Sequence, residues 1–212
     1  MALCNLSDVK TMLNIPLTDT TSDDKLALYI KQVSSQIESY IGYKLKRAEY
    51  TEELQAVNCR QVINLNHFPI QSVASVTANG EAVTDYKILP KYAKFGGLYR
   101  GDGWTGTLYT QGFTHDVISG AWEIAVTYTA GYYLPSDVGY TEGAEDSLPY
   151  DISAACCQMV CLRYMYDAQG ATGLKAHTEG GISDTYGDSA NEAGLTDSVK
   201  RALSKYVFYG VA

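Results

Sequence analysis

The sequence predicts an α+β fold in which a helical core holds an inserted antiparallel β-sheet or small barrel and ends in a C-terminal extended arm and helix. Apolar residues recur every three or four positions at both ends of the chain, which is typical of amphipathic helices. The middle of the chain alternates apolar and polar residues in short runs, which favours strands. We expect the helical core at 1–45 and 148–170, the inserted β-rich domain at 46–133, and the arm with its helix at 171–212.

Two helices are expected in the first 45 residues. A short one spans 7–14 and is ended by Pro16, which cannot continue a helix. Thr21 and Asp24 have the spacing of a capping box, which marks the start of a second helix. That helix keeps its apolar stripe as far as Ile41.

Short strands are expected between residues 46 and 133. They are placed at 49–57, 61–65, 72–78, 82–89, 98–99, 107–109 and 121–128. Asn79 and Gly80 separate two of these runs. Because both residues tolerate a positive φ, this pair predicts a tight hairpin.

The stretch from Trp122 to Tyr166 connects the last expected strand to a long helix near 150–168. One face of that helix has helical spacing and comprises Ile152, Ala155, Cys156, Met159, Val160 and Arg163. The following segment, 171–194, is Gly-rich with few large apolar residues, so we expect that it does not order by itself. A last helix is expected from about Thr196.

Composition restricts the possible functions. The net charge is −8, from 16 basic and 24 acidic residues, which argues against a protein that grips nucleic acid through its phosphates. Eighteen tyrosines against four phenylalanines suit surfaces that are buried in an interface but wet at the edges. A strand-rich protein also uses tyrosine often, so both interpretations remain open.

The cysteines favour reduced thiols in a cytosolic setting. Their number is odd, and three lie in one expected helix; they are Cys4, Cys59, Cys156, Cys157 and Cys161. The N-terminus does not resemble a secretion signal, and no apolar run approaches the roughly 20 residues needed to cross a bilayer. We therefore expect no membrane association.

The sequence predicts no catalytic residue, metal site or cofactor. The histidines lie in three separate segments and are His67, His115 and His177. A thiol–base pair with Cys59 or Cys161 would make a thiol enzyme, but no local motif supports it. Cys157 and Cys161 share a helix face but lack the further ligands of a structural zinc site, so small buried packing residues are the favoured interpretation.

A second function class is a cytosolic ligand- or carbohydrate-binding module that uses a Tyr/Trp-rich sheet. The candidate stacking residues are Trp104, Tyr109, Trp122 and Tyr128. The same four side chains are equally suited to a core.

The order of the motifs resembles the head–tail connector (adaptor, or head-completion) proteins of tailed bacteriophages. The stretches with this resemblance are 23–26, 37–42, 68–76, 126–132, 148–152 and 179–186. Together they cover most of the chain. The long strand-rich middle and the many tyrosines depart from the smallest members of the family.

The resemblance implies a non-enzymatic virion protein of the neck, assembled in the host cytoplasm. Such adaptors form a ring, commonly twelvefold, that binds the portal protein, extends the channel through which DNA passes, and offers a platform for the stopper or tail-completion protein. Their helices make the ring and their C-terminal segment reaches the portal. The ring-forming candidates are Tyr29, Val33, Ile37, Tyr40, Met159 and Arg163. The candidates for binding the portal or another neck partner are Lys175, Ile182, Tyr186, Leu203, Tyr206, Phe208 and Tyr209.

Overall fold

The computed structural model describes residues 1–56, 60–104, 122–168, 176–179, 182–185 and 194–207. The chain folds into two compact units. The helical unit combines Met1–Lys44 with Tyr133–Ala212, and the β-unit is the single stretch Leu45–Tyr132. The β-unit is therefore an insertion in the sequence of the helical unit.

The helices and strands of the described residues are as follows. The helices are α1 Leu6–Met12, α2 Asp23–Ile41, α3 Pro90–Ala93, α4 Tyr150–Ala168 and α5 Asp197–Leu203, which continues into a 3₁₀ turn at Ser204–Tyr206. The strands are β1 Ala48–Ala56, β2 Val62–Asn64, β3 Ile70–Ala78, β4 Glu81–Ala82, β5 Tyr86–Lys87, β6 Gly97–Arg100, β7 Trp122–Ala130, β8 Ala176–Glu179 and β9 Ile182–Thr185. The α+β fold class is confirmed.

Helix α2 ends where the sequence predicts, but it does not begin with a capping box. Gly42 follows its last residue with a φ of 93°, and the Gly42 amide donates to Glu38 O at 2.8 Å. The capping-box prediction for Thr21 and Asp24 is wrong, because the Thr21 amide and hydroxyl both donate to Asp19 Oδ1, at 3.0 and 2.6 Å. Asp19 therefore competes successfully for the group that was expected to cap the helix.

The core of the helical unit lies between α2 and α4, and α1 and α5 pack against α4. Its fully or nearly fully buried side chains include Leu3, Val9, Leu26, Ile30, Val33, Ile37, Ile41, Ile152, Cys156, Met159, Val160, Val199 and Leu203. The face expected for α4 is buried from Ile152 to Val160, with Arg163 half-buried at its end.

Two antiparallel sheets form the β-unit. One has the strand order β1-β7-β3-β4 and the other β2-β6-β5. Strand β7 is central in the larger sheet and pairs with β1 along its whole length, from Ala48 opposite Ala130 to Ala56 opposite Trp122. The hairpin at Asn79 and Gly80 is confirmed: their φ values are 51° and 84°, and they join β3 to β4.

The strand expected over 82–89 is two short strands, β4 and β5, and the helical turn α3 follows them at Pro90. Gly96 lies after α3 with a φ of 78°, and a Cβ there would be 2.4 Å from Leu65 O. Only glycine permits this close approach. It places the start of β6 next to Leu65, the residue that follows β2. The strand expected over 107–109 lies outside the described residues.

Within the segment 171–194, which was expected not to order by itself, residues 176–179 and 182–185 depart from that expectation; 171–175, 180–181 and 186–193 lie outside the described residues. The two described runs pair as a β8–β9 hairpin, from Ala176 opposite Thr185 to Glu179 opposite Ile182. The bonds of a hairpin are local, so this pairing does not require the apolar burial on which the expectation rested. Within the described part of the chain, no helix combines the length and hydropathy that crossing a membrane requires.

Candidate functional site

A polar cluster among the described residues of the β-unit centres on Glu52 of β1. The Tyr128 hydroxyl donates to Glu52 Oε1, and His67 Nδ1 donates to the same oxygen at 2.7 Å. The second oxygen, Oε2, accepts from the amide and the side chain of Asn66 at 3.0 and 3.1 Å. The Tyr50 ring stacks on the His67 imidazole with 3.7 Å between the ring centroids.

The electrostatics of this cluster keep Glu52 charged and Tyr128 neutral. Burial raises the pKa of Glu52, but the hydrogen bonds from Tyr128, Asn66 and His67 outweigh burial and hold that pKa below its ordinary value of 4.5. Burial, and then the bond to Glu52, raises the pKa of Tyr128. Because Tyr128 is fully buried, its proton has no route to a substrate. The cluster ties β1 and β7 to the chain between β2 and β3.

The buried thiols pack in the helical unit. Cys4 Sγ lies 3.5 Å from Cys156 Sγ, and Ser34 Oγ lies 3.7 Å from the same sulfur. Cys157 and Cys161 are also buried and unoxidised. The interpretation of the α4 cysteines as packing residues is confirmed.

No described group of three or more His, Cys, Asp or Glu side chains is arranged to hold a metal ion. Of the thiol–base candidates, Cys161 is buried in the helical unit with its sulfur 4.0 Å from Val9 O. His67 is bonded to Glu52 in the β-unit. Cys59, His115 and the His177 side chain lie outside the described residues.

The stacking surface of the ligand-binding alternative is corrected at Trp104 and Tyr128. Both side chains are fully buried, and Trp104 Nε1 donates to Leu98 O at 3.1 Å and to Gln61 O at 3.2 Å. The alternation of a strand shows which residues share a face, but it does not show whether that face is inside. Tyr109 and the Trp122 side chain lie outside the described residues.

The ring-forming candidates fall into two groups. Val33, Ile37 and Met159 are buried within the helical unit. Tyr29, Tyr40 and Arg163 are half-buried. The Tyr40 hydroxyl donates to Lys200 O of α5 at 3.3 Å, and Arg163 Nη2 donates to Gln36 Oε1 of α2 at 2.5 Å.

The described candidates for binding the portal or another neck partner lie on α5, the 3₁₀ turn and β9. Leu203 is fully buried, so it anchors α5 to the unit. Tyr206 is half-buried beside Lys205, whose Nζ lies 5.1 Å from the tyrosine ring and pairs with Asp151 of α4. Ile182 is on β9, with its side chain outside the described set. Lys175, Tyr186, Phe208 and Tyr209 are outside the described residues altogether.

Sequence periodicity missed the exposed apolar side chains of both units. In the helical unit they include Met12, Leu17, Leu28, Val138, Tyr150 and Met165, and in the β-unit Ile88 and Phe95. Exposed apolar side chains of this size indicate contact with a partner when they form one contiguous patch, whereas single ones are common on protein surfaces. One sequence signal existed for the β-unit: residues 86–100 contain four basic and no acidic side chains.

Comparison with known proteins decides the family. The family model described as head completion protein matches residues 2–207 of the chain, almost its entire length. The chain belongs to the head completion protein family. It is therefore a structural virion protein rather than an enzyme, and the resemblance drawn from the motif order is confirmed.

Two solved structures share the fold of this head completion protein. One is a chain in the neck of an empty gene transfer agent particle, computed with C6 symmetry; the TM-score is 0.54 at 13% identity, over 99% of this chain and 92% of the other. The second is a chain in the virion of a native gene transfer agent particle, with a TM-score of 0.50 at 14% identity over 97% and 89% of the two chains. No curated protein matches the sequence.

Proposed function

We propose that this head completion protein is a neck adaptor, which binds the portal as a ring, extends the DNA channel and supports the stopper or tail-completion protein. The observation that supports it best is the likeness to a chain from the neck of a gene transfer agent particle, which spans 99% of this chain. Both units and the C-terminal segment therefore lie within the matched length. Family membership supplies the general role of head completion.

A ring of twelve copies fits this proposal. The neck of the similar particle was computed with six-fold symmetry, and a twelvefold ring contains every six-fold rotation. The net charge of −8 suits a channel that DNA passes through without being held, because phosphates are repelled rather than paired.

The outer side of the α2–α4 pair is the proposed ring contact of the helical unit. Lys25 of α2 forms an ion pair with Asp167 of α4, and its Nζ lies 5.8 Å from the centroid of the Tyr164 ring. These two contacts join the helices at this side. Leu28, three residues after Lys25, and Met165, next to Tyr164, are both about half exposed. The buried candidates Val33, Ile37 and Met159 would act indirectly, by keeping the helix pair rigid, while Tyr29, Tyr40 and Arg163 lie nearer its surface.

The β8–β9 hairpin and the residues after the 3₁₀ turn are the proposed portal contacts. The candidate residues are Ile182 on β9, Lys175 and Tyr186 next to the hairpin in sequence, and Phe208 and Tyr209 after the turn. Leu203 and Tyr206 hold the base of this segment in the helical unit. A deletion of 170–212 would remove Val199 and Leu203 from the core and unfold the unit, so it does not test binding.

A sharper variant replaces residues 176–185 with a Gly-Ser segment of equal length. We expect an unchanged circular dichroism spectrum in the helical bands and loss of co-purification with the portal. The control replaces Glu49 and Glu81 with Gln, which changes exposed side chains outside the hairpin. Portal binding that survives the replacement contradicts the role of the hairpin.

Cryo-electron microscopy of the parent particle tests the adaptor function directly. The expected result is a ring of this chain between the portal and the next neck protein. A particle whose neck lacks the chain, or holds it away from the portal, overturns the proposal.

A further inference from the structure

The β-unit presents a mixed basic and apolar surface that the core does not use. It consists of Lys87, Ile88, Lys91, Lys94 and Phe95, and is called the lysine strip below. Phe95 is 63% exposed and Ile88 38% exposed. Within the described part of the chain, none of the three lysines forms an ion pair.

The lysine strip is held in a fixed shape. Strand β5 pairs with β6 through Tyr86 and Lys87, opposite Arg100 and Tyr99. The Tyr92 and Tyr99 rings are stacked, with 6.2 Å between centroids. Arg100 Nε donates to both oxygens of Asp85 at 2.9 Å, so Asp85 is already occupied. A preformed surface of this kind loses little conformational entropy when a partner binds.

The charge of the chain is divided unequally between its two units. The β-unit has seven basic and eight acidic side chains, whereas the helical unit has nine basic and sixteen acidic ones. A basic surface on the nearly neutral β-unit is therefore complementary in charge to the acidic helical unit of a second copy.

The helical unit has an acidic loop at 136–146 that matches the lysine strip in chemistry. Glu142 and Glu145 are exposed, and Val138, which precedes them in the same loop, is fully exposed. Hydrogen bonds shape the loop: Tyr140 N donates to Asp137 O at 3.1 Å, and Thr141 N donates to Ser147 Oγ at 3.1 Å. Among the described residues, Glu142 and Glu145 form no ion pair.

We propose that the lysine strip of one copy docks on the acidic loop of the next copy, with Phe95 and Ile88 against Val138 and the lysines facing Glu142 and Glu145. This inference rests on the proposed ring and names one of its contacts. Two different surfaces meet in such a contact, and repetition of a contact of this type closes a ring when its rotation is a whole fraction of a turn. The apolar side chains supply the buried centre, and the lysine–glutamate pairs at the rim select the partner and its register.

A second copy fits this surface better than DNA does. Duplex DNA binds through its phosphates, which contact the lysines but leave the exposed Phe95 and Ile88 without an apolar partner. The alternating aliphatic and basic side chains instead need a partner with both apolar and acidic groups, as the acidic loop has. Binding of duplex DNA is treated as an outcome of the test.

Zero-length carbodiimide coupling of the parent particle, which joins lysine amines to carboxylates, tests the contact. We expect peptides containing Lys87, Lys91 or Lys94 joined to peptides containing Glu142 or Glu145. These should come from the covalent dimer band and not from the monomer band, since the bond joins two copies. An intact neck ring without such links overturns this inference and leaves the adaptor function standing. A neck without this chain overturns both.

Charge reversal sharpens the result. K91E is expected to lower the yield of linked dimer roughly tenfold, because it places like charges opposite one another. R60E, an exposed reversal in the same unit, should leave the yield unchanged. K87E/K91E/K94E should abolish the link, and E142K/E145K in the same chain should restore it. A triple reversal that assembles normally contradicts the inference, as does specific retention of duplex DNA by the unmodified protein that the reversal removes.

Discussion

The helical unit and the β-unit stabilise buried polar groups in different ways. In the helical unit, Lys10 is 3% exposed and its Nζ lies 2.5 Å from Asp23 Oδ1, so one ion pair ties α1 to the start of α2; the same Nζ donates to Leu17 O at 3.4 Å. In the β-unit, Glu52 shares its two oxygens among three neighbours, Tyr128, His67 and Asn66. A pair fails completely when one member is lost, whereas a network loses one bond at a time.

The apolar cores of the two units also differ. The helical unit is packed with aliphatic side chains and thiols, which are small and numerous. The described core of the β-unit is also largely aliphatic, but it includes two large, fully buried rings, Trp104 and Tyr128. Loss of one of these rings should therefore cost more than loss of one small side chain of the helical core, and this difference can be measured.

The largest effect is expected from Trp104→Ala. It removes a fully buried ring and the indole N–H that donates to Gln61 O and Leu98 O. The β-unit should therefore lose about 3–5 kcal/mol of stability. Hydrogen exchange should accelerate in β2 and β6 while α2 and α4 keep their protection. Trp104→Phe, which keeps most of the ring, should cost less. Equal acceleration in both units would contradict a role for Trp104 that is confined to the β-unit core.

Next is Asp23→Asn, which leaves the buried Lys10 charge without its paired carboxylate. Because Lys10 keeps its hydrogen bond to Leu17 O, we expect a loss of about 2–3 kcal/mol, below the full cost of breaking a buried pair. Lys10→Met should cost about 1 kcal/mol or less, since it removes the buried charge itself. Urea unfolding followed by helical circular dichroism measures both. A larger loss for Lys10→Met would show that packing of the lysine chain, rather than its charge, stabilises α1.

Tyr128→Phe tests the network of the β-unit. It removes one bond to Glu52 while the other donors remain, so the loss should be about 1–2 kcal/mol at pH 7. The folded pKa of Glu52 is lowered; its contribution to stability is therefore present above its ordinary pKa of 4.5 and is lost as the pH falls through the lower folded value. The difference between the two proteins should shrink below pH 4.5.

Denaturant unfolding at pH 7 and at acidic pH measures this difference. Tyr99→Phe is the control, since no hydrogen bond of the Tyr99 hydroxyl occurs among the described residues, and its effect should be small at both pH values. A Tyr128→Phe loss that stays constant with pH would mean that the hydroxyl stabilises the fold by packing alone.

The parts of the fold that were predictable are those set by local pattern. The stripe of α2 and the buried face of α4 follow from helical spacing, and the Asn79 and Gly80 turn follows from the φ values that these two residues tolerate. The resemblance to the family likewise uses motif order along the chain, which needs no knowledge of contacts.

What could not be predicted depends on contacts between distant residues. Glu52 meets His67 and Tyr128 from 15 and 76 positions away, and no periodicity reports such a meeting. Helix α3 and its neighbour Gly96 are set by contact with Leu65 rather than by a long repeat. The lysine strip was missed for a related reason: only burial distinguishes an exposed Phe95 from a core aromatic.

The smallest effect concerns the thiols, where sequence and structure agree on packing. In a Cys59→Ser variant, which retains only the four described cysteines, alkylation by iodoacetamide at pH 8 should be slow and should need opening of the helical unit. Among the four, Cys157, whose pKa is lowered by the bond from Cys4, should react before Cys161, whose pKa burial raises to about 11. Cys4, whose pKa is raised by its bonds to neighbouring thiols and by burial, should react last.

Mass spectrometry of the alkylated peptides, with and without urea, gives the four rates. In urea all four thiols should react together and roughly a hundredfold or more faster, because protection comes from the fold and not from the thiols themselves. The unmodified protein, which adds Cys59 as the one cysteine of the β-unit, allows the two units to be compared in a single experiment. A thiol of α4 that reacts rapidly in the folded protein would contradict a packing role, because rapid reaction requires an accessible thiolate.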